Sequence, residues 1–218
     1  MASLASPPRR LTRGATIRAS GEPIKTLDLL VEGWAASAVT FSNGTRQLVS
    51  INLPGDLLGL PALSVEEPID DVVALGEVSV RSVPLSALTI LFEKHPRLAA
   101  VLFLIAQEER VLAMERIALM GQTVAKARLA ALFVRLNEKL GKSDENWPDR
   151  FHLPLTQQDL ADLIGISTVH VNGILQELRS EGIIRLANRE FQILDRTALI
   201  TLAGVRKWRQ SHPTWLPT

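Results

Sequence analysis

The first ninety residues carry the pattern of short β-strands separated by turns. Gly21, Gly33, Gly44 and Gly55 recur at intervals of 12, 11 and 11 residues. Runs rich in β-branched and apolar side chains lie between these glycines, at residues 24–31, 34–41 and 46–53. Residues 71–83 alternate apolar and polar side chains. Because no helical period interrupts these runs, the pattern predicts an antiparallel β-roll of jelly-roll type rather than a parallel α/β sheet. Ser42-Asn43-Gly44 suits a hairpin turn.

The period changes near residue 84, and the middle of the chain is predicted to be helical. Residues 84–92 suit a short helix, and Pro96 suits the first position of a longer one. Residues 97–120 contain neither Gly nor Pro, and Gly121 follows as a stop signal. A helix of this length spans about 36 Å. A further helix is predicted for residues 122–140, with Val124 in its apolar stripe, and a polar loop for residues 141–149.

The first half of the long helix, Leu98 to Ala106, is apolar on every side. One face can cover the β-roll, and a second copy of the helix across a two-fold axis is the simplest cover for the other. A seam close to a heptad repeat gives the predicted dimer interface, which is Leu98, Leu102, Ile105, Leu112 and Leu119. The alternative is a helix buried in the core of a monomer.

Residues 155–184 predict a helix-turn-helix. Thr156 and Asp159 have the spacing of a capping box at the start of a first helix, and Gly165 permits a tight turn. Ser167 is the expected N-cap of a second helix, whose buried stripe is Val171, Ile174, Leu175 and Leu178. The opposite face is polar, small and nearly uncharged, and comprises Thr168, Val169, His170, Asn172, Gly173 and Gln176. Such a face suits the floor of a DNA groove. A plain helical hairpin of a protein core is the alternative.

A hairpin is predicted directly after the second helix. Gly182 ends the helix, and residues 183–186 and 190–194 form two strands around Ala187-Asn188-Arg189. This hairpin is the wing of a winged helix-turn-helix, and its arginines, Arg185 and Arg189, are candidates for phosphate contacts.

Composition and charge narrow the function classes. The 218 residues are 46% hydrophobic and 22% charged, as expected of a folded globular protein. The absence of cysteine removes disulfides, thiolate metal sites and cysteine nucleophiles. Residues 1–120 hold 11 basic and 13 acidic side chains, and residues 121–218 hold 13 and 10, so the net charges are −2 and +3. This asymmetry permits a nucleic-acid partner for the second half without requiring one.

Neither an enzyme nor a membrane protein is predicted. The four histidines are scattered, and no nucleophile-elbow, dinucleotide or phosphate-loop motif is present. We therefore expect no catalytic residue, no metal and no cofactor. The longest apolar run has nine residues, fewer than half of the roughly 20 that cross a bilayer. Residues 1–10 have no apolar core of a signal peptide, so a cytoplasmic location is the default expectation.

The order of β-roll, long helix and winged helix resembles the Crp/Fnr family of bacterial transcription regulators. Four stretches carry the resemblance in the family's order: Glu32-Gly33-Trp34-Ala35, Gly44-Thr45-Arg46-Gln47, Pro54-Gly55-Asp56-Leu57-Leu58-Gly59, and residues 155–184. The resemblance implies an α+β fold with three parts: a β-roll at residues 1–95, a dimerisation helix at 96–121 and a winged helix-turn-helix at 122–218. It further implies a homodimer on a near-palindromic duplex, and it admits RNA polymerase as a partner.

The resemblance also assigns DNA-contacting positions. The family's base-reading positions match Thr168, Val169 and Gly173. Its phosphate-contacting positions match Thr156, Gln157, Ser167 and His170, and Asn172 is added from its exposed face.

The sequence departs from the family at the effector pocket and at the recognition helix. Cyclic-nucleotide-binding relatives follow the Gly-Asp strand with a short helix that carries a Glu and an Arg. Residues 47–80 of this chain contain no Lys or Arg and six acidic residues, and the cysteines of oxygen-sensing relatives are missing too. Gly173 stands where many relatives have a base-reading arginine. We therefore expect no regulation by cyclic nucleotide. The sequence does not identify an effector. A relative that has lost DNA binding and acts through protein contacts is the alternative function, supported by Gly173 alone.

Overall fold

The computed structural model describes residues 6–141, 148–206 and 216. The chain divides into two compact units. Among the described residues, the first unit extends from residue 6 to Glu115, and the second comprises those from Arg116 to residue 206.

Two four-stranded antiparallel sheets build the first unit. Their strands are β1 (Arg9–Leu11), β2 (Thr16–Arg18), β3 (Thr26–Glu32), β4 (Ala35–Thr40), β5 (Arg46–Asn52), β6 (Leu57–Leu58), β7 (Asp71–Ala74) and β8 (Val78–Pro84). One sheet has the order β1-β8-β3-β6, and the other has the order β2-β7-β4-β5. A single 3-10 turn, Pro61–Ser64, lies between β6 and β7. The predicted antiparallel β-roll is confirmed.

Three of the predicted strands agree with β3, β4 and β5 to within about two residues, which is the usual spread at element ends. The hairpin between β4 and β5 is also as predicted, since the N–H of Gly44 donates to the carbonyl of Phe41 and Gly44 has a φ of +80°. The alternating run at residues 71–83 is split, because β7 and β8 belong to different sheets. The short strands β1, β2 and β6 were not predicted.

Gly33 makes the passage between β3 and β4 possible. Its φ is +81°, and a Cβ at this position would lie 2.1 Å from the carbonyl oxygen of Glu77. Any other residue would therefore collide with the backbone between β7 and β8.

The core of the β-roll lies between the two sheets. Its buried members are Ile17, Leu30, Ala35, Leu58, Val72, Ala74, Val78 and Val80. A second cluster joins β3 to the helices α1 (Ser86–Lys94) and α2 (Pro96–Gln122) through Leu27, Leu88, Leu91 and Ala99, with Leu102 packed against it.

The helix α2 is the longest element of the described chain, with 27 residues. The helix ends at Gln122, one residue after Gly121, so the predicted stop at this glycine agrees to within the usual spread at element ends. Ala99 is the one residue of α2 that is buried. In the part of the chain that the structure describes, neither α2 nor any other helix is long and apolar enough to cross a membrane.

The second unit is a helical domain with a small sheet. Its elements after α2 are α3 (Ala125–Leu140), β9 (Arg150–His152), α4 (Gln157–Ile164), α5 (Thr168–Ser180), β10 (Ile184–Ala187), β11 (Glu190–Ile193) and α6 (Arg196–Ala203). The sheet is antiparallel with the order β10-β11-β9. The side chain of Phe191 fills the centre of the unit, with its ring centroid 4.4 Å from that of Phe133 and 5.0 Å from that of Phe151.

Two predictions for the second unit need correction. The helix predicted from Gln122 begins at Ala125, and Val124 is its extended N-cap with a side chain that is 71% exposed, so Val124 does not belong to the apolar stripe. The strand β9 and the helix α6 were not predicted. Most of the predicted polar loop, residues 142–147, lies outside the described residues.

Candidate DNA-binding site

The first helix of the helix-turn-helix begins at the predicted capping box. The hydroxyl of Thr156 accepts from the N–H of Asp159 at 3.1 Å, and the N–H of Thr156 donates to Asp159 Oδ2 at 2.8 Å. The hydroxyl of Thr156 also donates to Asp159 Oδ2 at 2.7 Å. Both donors of Thr156 are thus engaged by the cap, which fixes the direction of α4.

The turn between α4 and α5 is as tight as the sequence indicates. Gly165 closes α4 in the left-handed conformation, with a φ of 70°. Ser167 then caps α5, because its side-chain oxygen accepts from the N–H of His170 at 3.3 Å. These two local features set the angle between the helices.

The helix α5 buries one stripe and exposes another. The predicted buried stripe is confirmed, since Val171, Ile174, Leu175 and Leu178 are all buried. On the opposite side Val169, which is 82% exposed, His170 and Gln176 face solvent. Thr168, Asn172 and Gly173 are half-buried rather than exposed.

The start of α4 meets the first turns of α5. The side-chain amide of Gln157 donates to Asn172 Oδ1 at 3.3 Å. The predicted phosphate-contacting residues at the start of α4 therefore lie beside the predicted base-reading residues of α5. With the exposed Val169 among them, these residues form a surface that contains no Asp, Glu, Lys or Arg side chain.

The position of Gly173 has free space around it. A Cβ placed there would meet no atom within 4 Å outside its own helix and chain neighbours. A Cβ at this position can therefore be added without displacing a neighbouring atom.

The wing carries two exposed arginines. Arg185 lies on β10, and Arg189 lies in the two-residue turn with Asn188, where both residues have positive φ angles of 63° and 52°. This left-handed pair makes a tight hairpin that suits the twist of the two strands. The carbonyl of Arg189 accepts from the N–H of Leu153 at 2.7 Å, which anchors the turn.

The structure adds a residue that the sequence did not indicate. Arg185, Gln192 and Arg150 face one another across the three strands of the wing sheet, and they line a shallow cleft together with Asn188 and Glu190. Arg150 pairs with Glu190 at 3.2 Å. No local signal could have identified Arg150, because β9 has three residues and no periodicity.

The predicted dimer-interface residues lie along α2 with different degrees of exposure. Leu98 and Ile105 are exposed, whereas Leu102, Leu112 and Leu119 are half-buried. Leu102 packs against the cluster of the β-roll.

The β-roll holds an arginine beside its acidic segment. Arg18 Nη2 donates to Asp70 Oδ1 at 2.9 Å, and the two side chains are 11% and 13% exposed. Arg18 Nε and Nη1 are buried without a hydrogen-bond partner. Residues 47–80 were expected to have no cation nearby. Arg18 lies outside that segment, 52 positions from Asp70, and only the fold brings the two side chains together.

An antiparallel β-roll, a long helix and a winged helix-turn-helix with a neutral recognition surface define a DNA-binding transcription regulator. Models of known protein families match both the β-roll and the helix-turn-helix. A model of the cyclic nucleotide-binding domain matches residues 8–95, and a model of the Crp-like helix-turn-helix domain matches residues 127–202.

Two relatives match over most of this chain. The chain is 27% identical over 188 residues to the anaerobic regulatory protein of Pasteurella multocida, with 86% of this chain and 68% of that protein covered. It is 27% identical over 200 residues to the transcriptional activator protein FnrL of Cereibacter sphaeroides, with 90% and 80% covered. The solved structure of FixK2 from Bradyrhizobium japonicum has the same fold, with a TM-score of 0.82 at 24% identity over 93% of this chain and 99% of that one.

The chain belongs to the Crp/Fnr family. It is a DNA-binding transcription regulator of that type.

Proposed function

We propose that the protein binds a near-palindromic duplex as a homodimer, with α5 of each copy in the major groove and half-sites about 34 Å apart. The observation that carries the proposal is the neutral surface formed by the start of α4 and the first turns of α5. A surface of neutral side chains can lie against base edges, and the exposed arginines of the wing can neutralise phosphates. Such a regulator acts at the chromosome, so we place it in the cytoplasm, where RNA polymerase is an available partner.

The proposed contacts divide into two groups. Thr168, Val169 and Asn172 supply a modest base preference, with hydrogen bonds from the polar pair and an apolar contact from Val169. Gln157, Ser167, His170, Arg185 and Arg189 supply phosphate contacts. Thr156 acts through the cap of α4, because both of its donors are engaged by Asp159.

We expect binding to duplex DNA to depend steeply on salt. Arginines that neutralise phosphates release counterions, and the logarithm of the binding constant falls by about 0.9 per neutralised phosphate for each unit in the logarithm of salt concentration. Fluorescence anisotropy on a random duplex between low and physiological salt measures this slope. Replacing Arg185 and Arg189 together by Gln is expected to reduce the slope by roughly two for each protomer on the duplex.

Two results of this titration would distinguish a DNA-binding regulator from a protein-interaction module. A wild-type protein without salt-dependent binding would support the reading as a protein-interaction module with degenerate DNA binding. An unchanged slope in the double variant would remove the wing arginines from the phosphate contacts. Sequencing of genomic fragments that the protein retains then identifies its sites.

One face of α2 is a candidate for pairing with a second copy. Steps of three and four residues alternate along Phe103, Ala106, Arg110, Ala113, Ile117 and Met120, which is a heptad repeat. Phe103, Ile117 and Met120 on this face are exposed. By contrast, Leu102 of the seam predicted from the sequence packs against the chain's own β-roll. We therefore propose that the pairing face of α2 is centred on Phe103 and Ile117.

We expect cyclic AMP and cyclic GMP not to bind. The acidic segment at residues 47–80 opposes a phosphate, and the charge of Arg18 is compensated by Asp70. Calorimetry at millimolar nucleotide should show no saturable heat, with a cyclic-nucleotide-binding protein as the positive control. A dissociation constant in the micromolar range would contradict this expectation.

A further inference from the structure

The junction between α2 and α3 consists of two residues. The N–H and the hydroxyl of Thr123 both donate to the carbonyl of Leu119, at 3.1 Å and 2.6 Å, and thereby close the last turn of α2. Val124 is extended, with φ of −73° and ψ of 155°, and α3 begins directly after it. The chain changes direction within these two residues, so side chains that bind the junction from outside can set the relation between the two helices.

Arg128 is such a side chain. It lies in the first turn of α3, and its Nη1 donates to the carbonyl of Thr123 at 2.7 Å. Its Nε donates to the carbonyl of Ile164, the last residue of α4, at 3.2 Å. Carbonyls at the C-terminal ends of helices lack intrahelical partners and carry partial negative charge, so both are favourable acceptors for a cation.

The guanidinium therefore ties three elements together: the end of α2, the start of α3 and the end of α4. The planar guanidinium has separate donors that point in fixed directions and can reach acceptors on two different elements, so a lysine ammonium is not an equivalent replacement. Lys126, in the same turn of α3, has a different attachment. Its Nζ lies 2.6 Å from Glu181 Oε1 and 3.2 Å from Glu177 Oε2, at the end of α5, and the hydrogen bond to Glu181 raises the pKa of Lys126.

We propose that Arg128 is a positioning residue, which holds the helix-turn-helix in one orientation relative to the end of α2. In a dimer paired through α2, this orientation fixes the distance between the two recognition helices. Arg128 then determines which half-site spacing the dimer accepts, without touching DNA itself. The inference rests on the proposed function, because it requires a dimer on two half-sites.

The test measures the affinity for duplexes of different half-site spacing and, separately, the affinity for a single half-site. The full-length wild-type protein first selects a palindromic duplex from a random pool. That duplex, versions with one base pair inserted or removed at its centre, and a duplex with a single half-site are then titrated by fluorescence anisotropy. Wild type is expected to lose about tenfold or more in affinity when the spacing changes, because linked sites gain only when geometry permits both contacts.

Arg128→Met should bind the single half-site with an affinity within about twofold of wild type, since the recognition surface is intact. Its discrimination between spacings should fall to about threefold or less, because loosely held domains can adjust to either duplex. Lys126→Met is the matched control, since it also removes one cation from the first turn of α3, and it should keep the wild-type spacing ratio. Arg128→Lys, which retains the charge, should give an intermediate ratio, and it replaces Arg128→Met if circular dichroism shows that variant to be unfolded.

The outcomes separate the inference from the function on which it rests. Wild type without any selected palindrome or spacing preference would overturn the proposed function. Wild type with a spacing preference that Arg128→Met fully retains would overturn the role of Arg128 alone. If Arg128→Met and Lys126→Met lose discrimination between spacings equally, any attachment of α3 to the helix-turn-helix has the same effect. That result would also overturn the specific role of Arg128.

Discussion

Ile117→Glu is expected to convert the dimer into a monomer. Ile117 is 71% exposed and lies on the heptad face proposed for pairing. In a parallel pair of helices the two glutamates would face each other across the two-fold axis, where desolvation and like-charge repulsion both oppose association. The affinity for a palindromic duplex should then fall by about 10²-fold or more, because the link between two half-site contacts is lost.

Sedimentation velocity at matched concentrations measures the change in mass, and anisotropy on the selected duplex measures the change in affinity. Ala118→Glu is the matched control, since it adds the same charge to an exposed position of the next residue, about 100° around the helix. Leu112→Glu tests the seam predicted from the sequence. If Leu112→Glu yields the monomer while Ile117→Glu remains a dimer, the seam predicted from the sequence is correct and the face centred on Phe103 and Ile117 is not.

Gly173→Arg is expected to tighten binding to sites that carry a guanine at one position of each half-site. A Cβ at this position would meet no neighbouring atom within 4 Å, and the position matches the family's base-reading arginine. One bidentate contact from arginine to guanine discriminates by about 1–3 kcal/mol. Two half-sites together give about 2 kcal/mol or more, which is a gain of at least about 30-fold for the guanine-containing palindrome.

A parallel selection with wild type and Gly173→Arg tests this expectation. Gly173→Ala is the control for helix stability, because replacing glycine inside a helix stabilises it by roughly 0.5–1 kcal/mol without adding a hydrogen-bond donor. Gly173→Ala should raise the melting temperature and leave the selected sequence unchanged. If Gly173→Arg selects the same site as wild type with equal strength, position 173 does not face the bases, and the proposed placement of α5 in the groove is wrong.

The helix-turn-helix could be predicted from the sequence because its determinants act over a few residues. The capping box of Thr156 with Asp159, the left-handed turn at Gly165 and the cap at Ser167 each join groups no more than three or four positions apart. The buried stripe of α5 follows directly from the helical period. The same holds for the longer strands of the β-roll, where a run rich in β-branched and apolar side chains between turn signals is enough to indicate a strand.

Elements that lack such a local signal depended on the tertiary structure. The strands β1, β2, β6 and β9 have two or three residues each, too few for a period to show, and pairing with a longer neighbour makes them strands. The helix α2 also continues through Gly121 to Gln122. The sequence did not indicate this, because a single glycine weakens a helix without forcing it to end.

The resemblance to the family, the longer strands of the β-roll and the caps and buried stripe of the helix-turn-helix follow from the sequence alone, since each is encoded in short-range patterns of polarity, turns and caps. Only tertiary packing shows which distant groups meet: Arg18 with Asp70 in the β-roll, Arg150 with Glu190 in the wing sheet, and Arg128 with the carbonyl of Ile164. These outcomes depend on how sheets and helices pack, and a pairwise contact between residues tens of positions apart leaves no periodic trace along the chain.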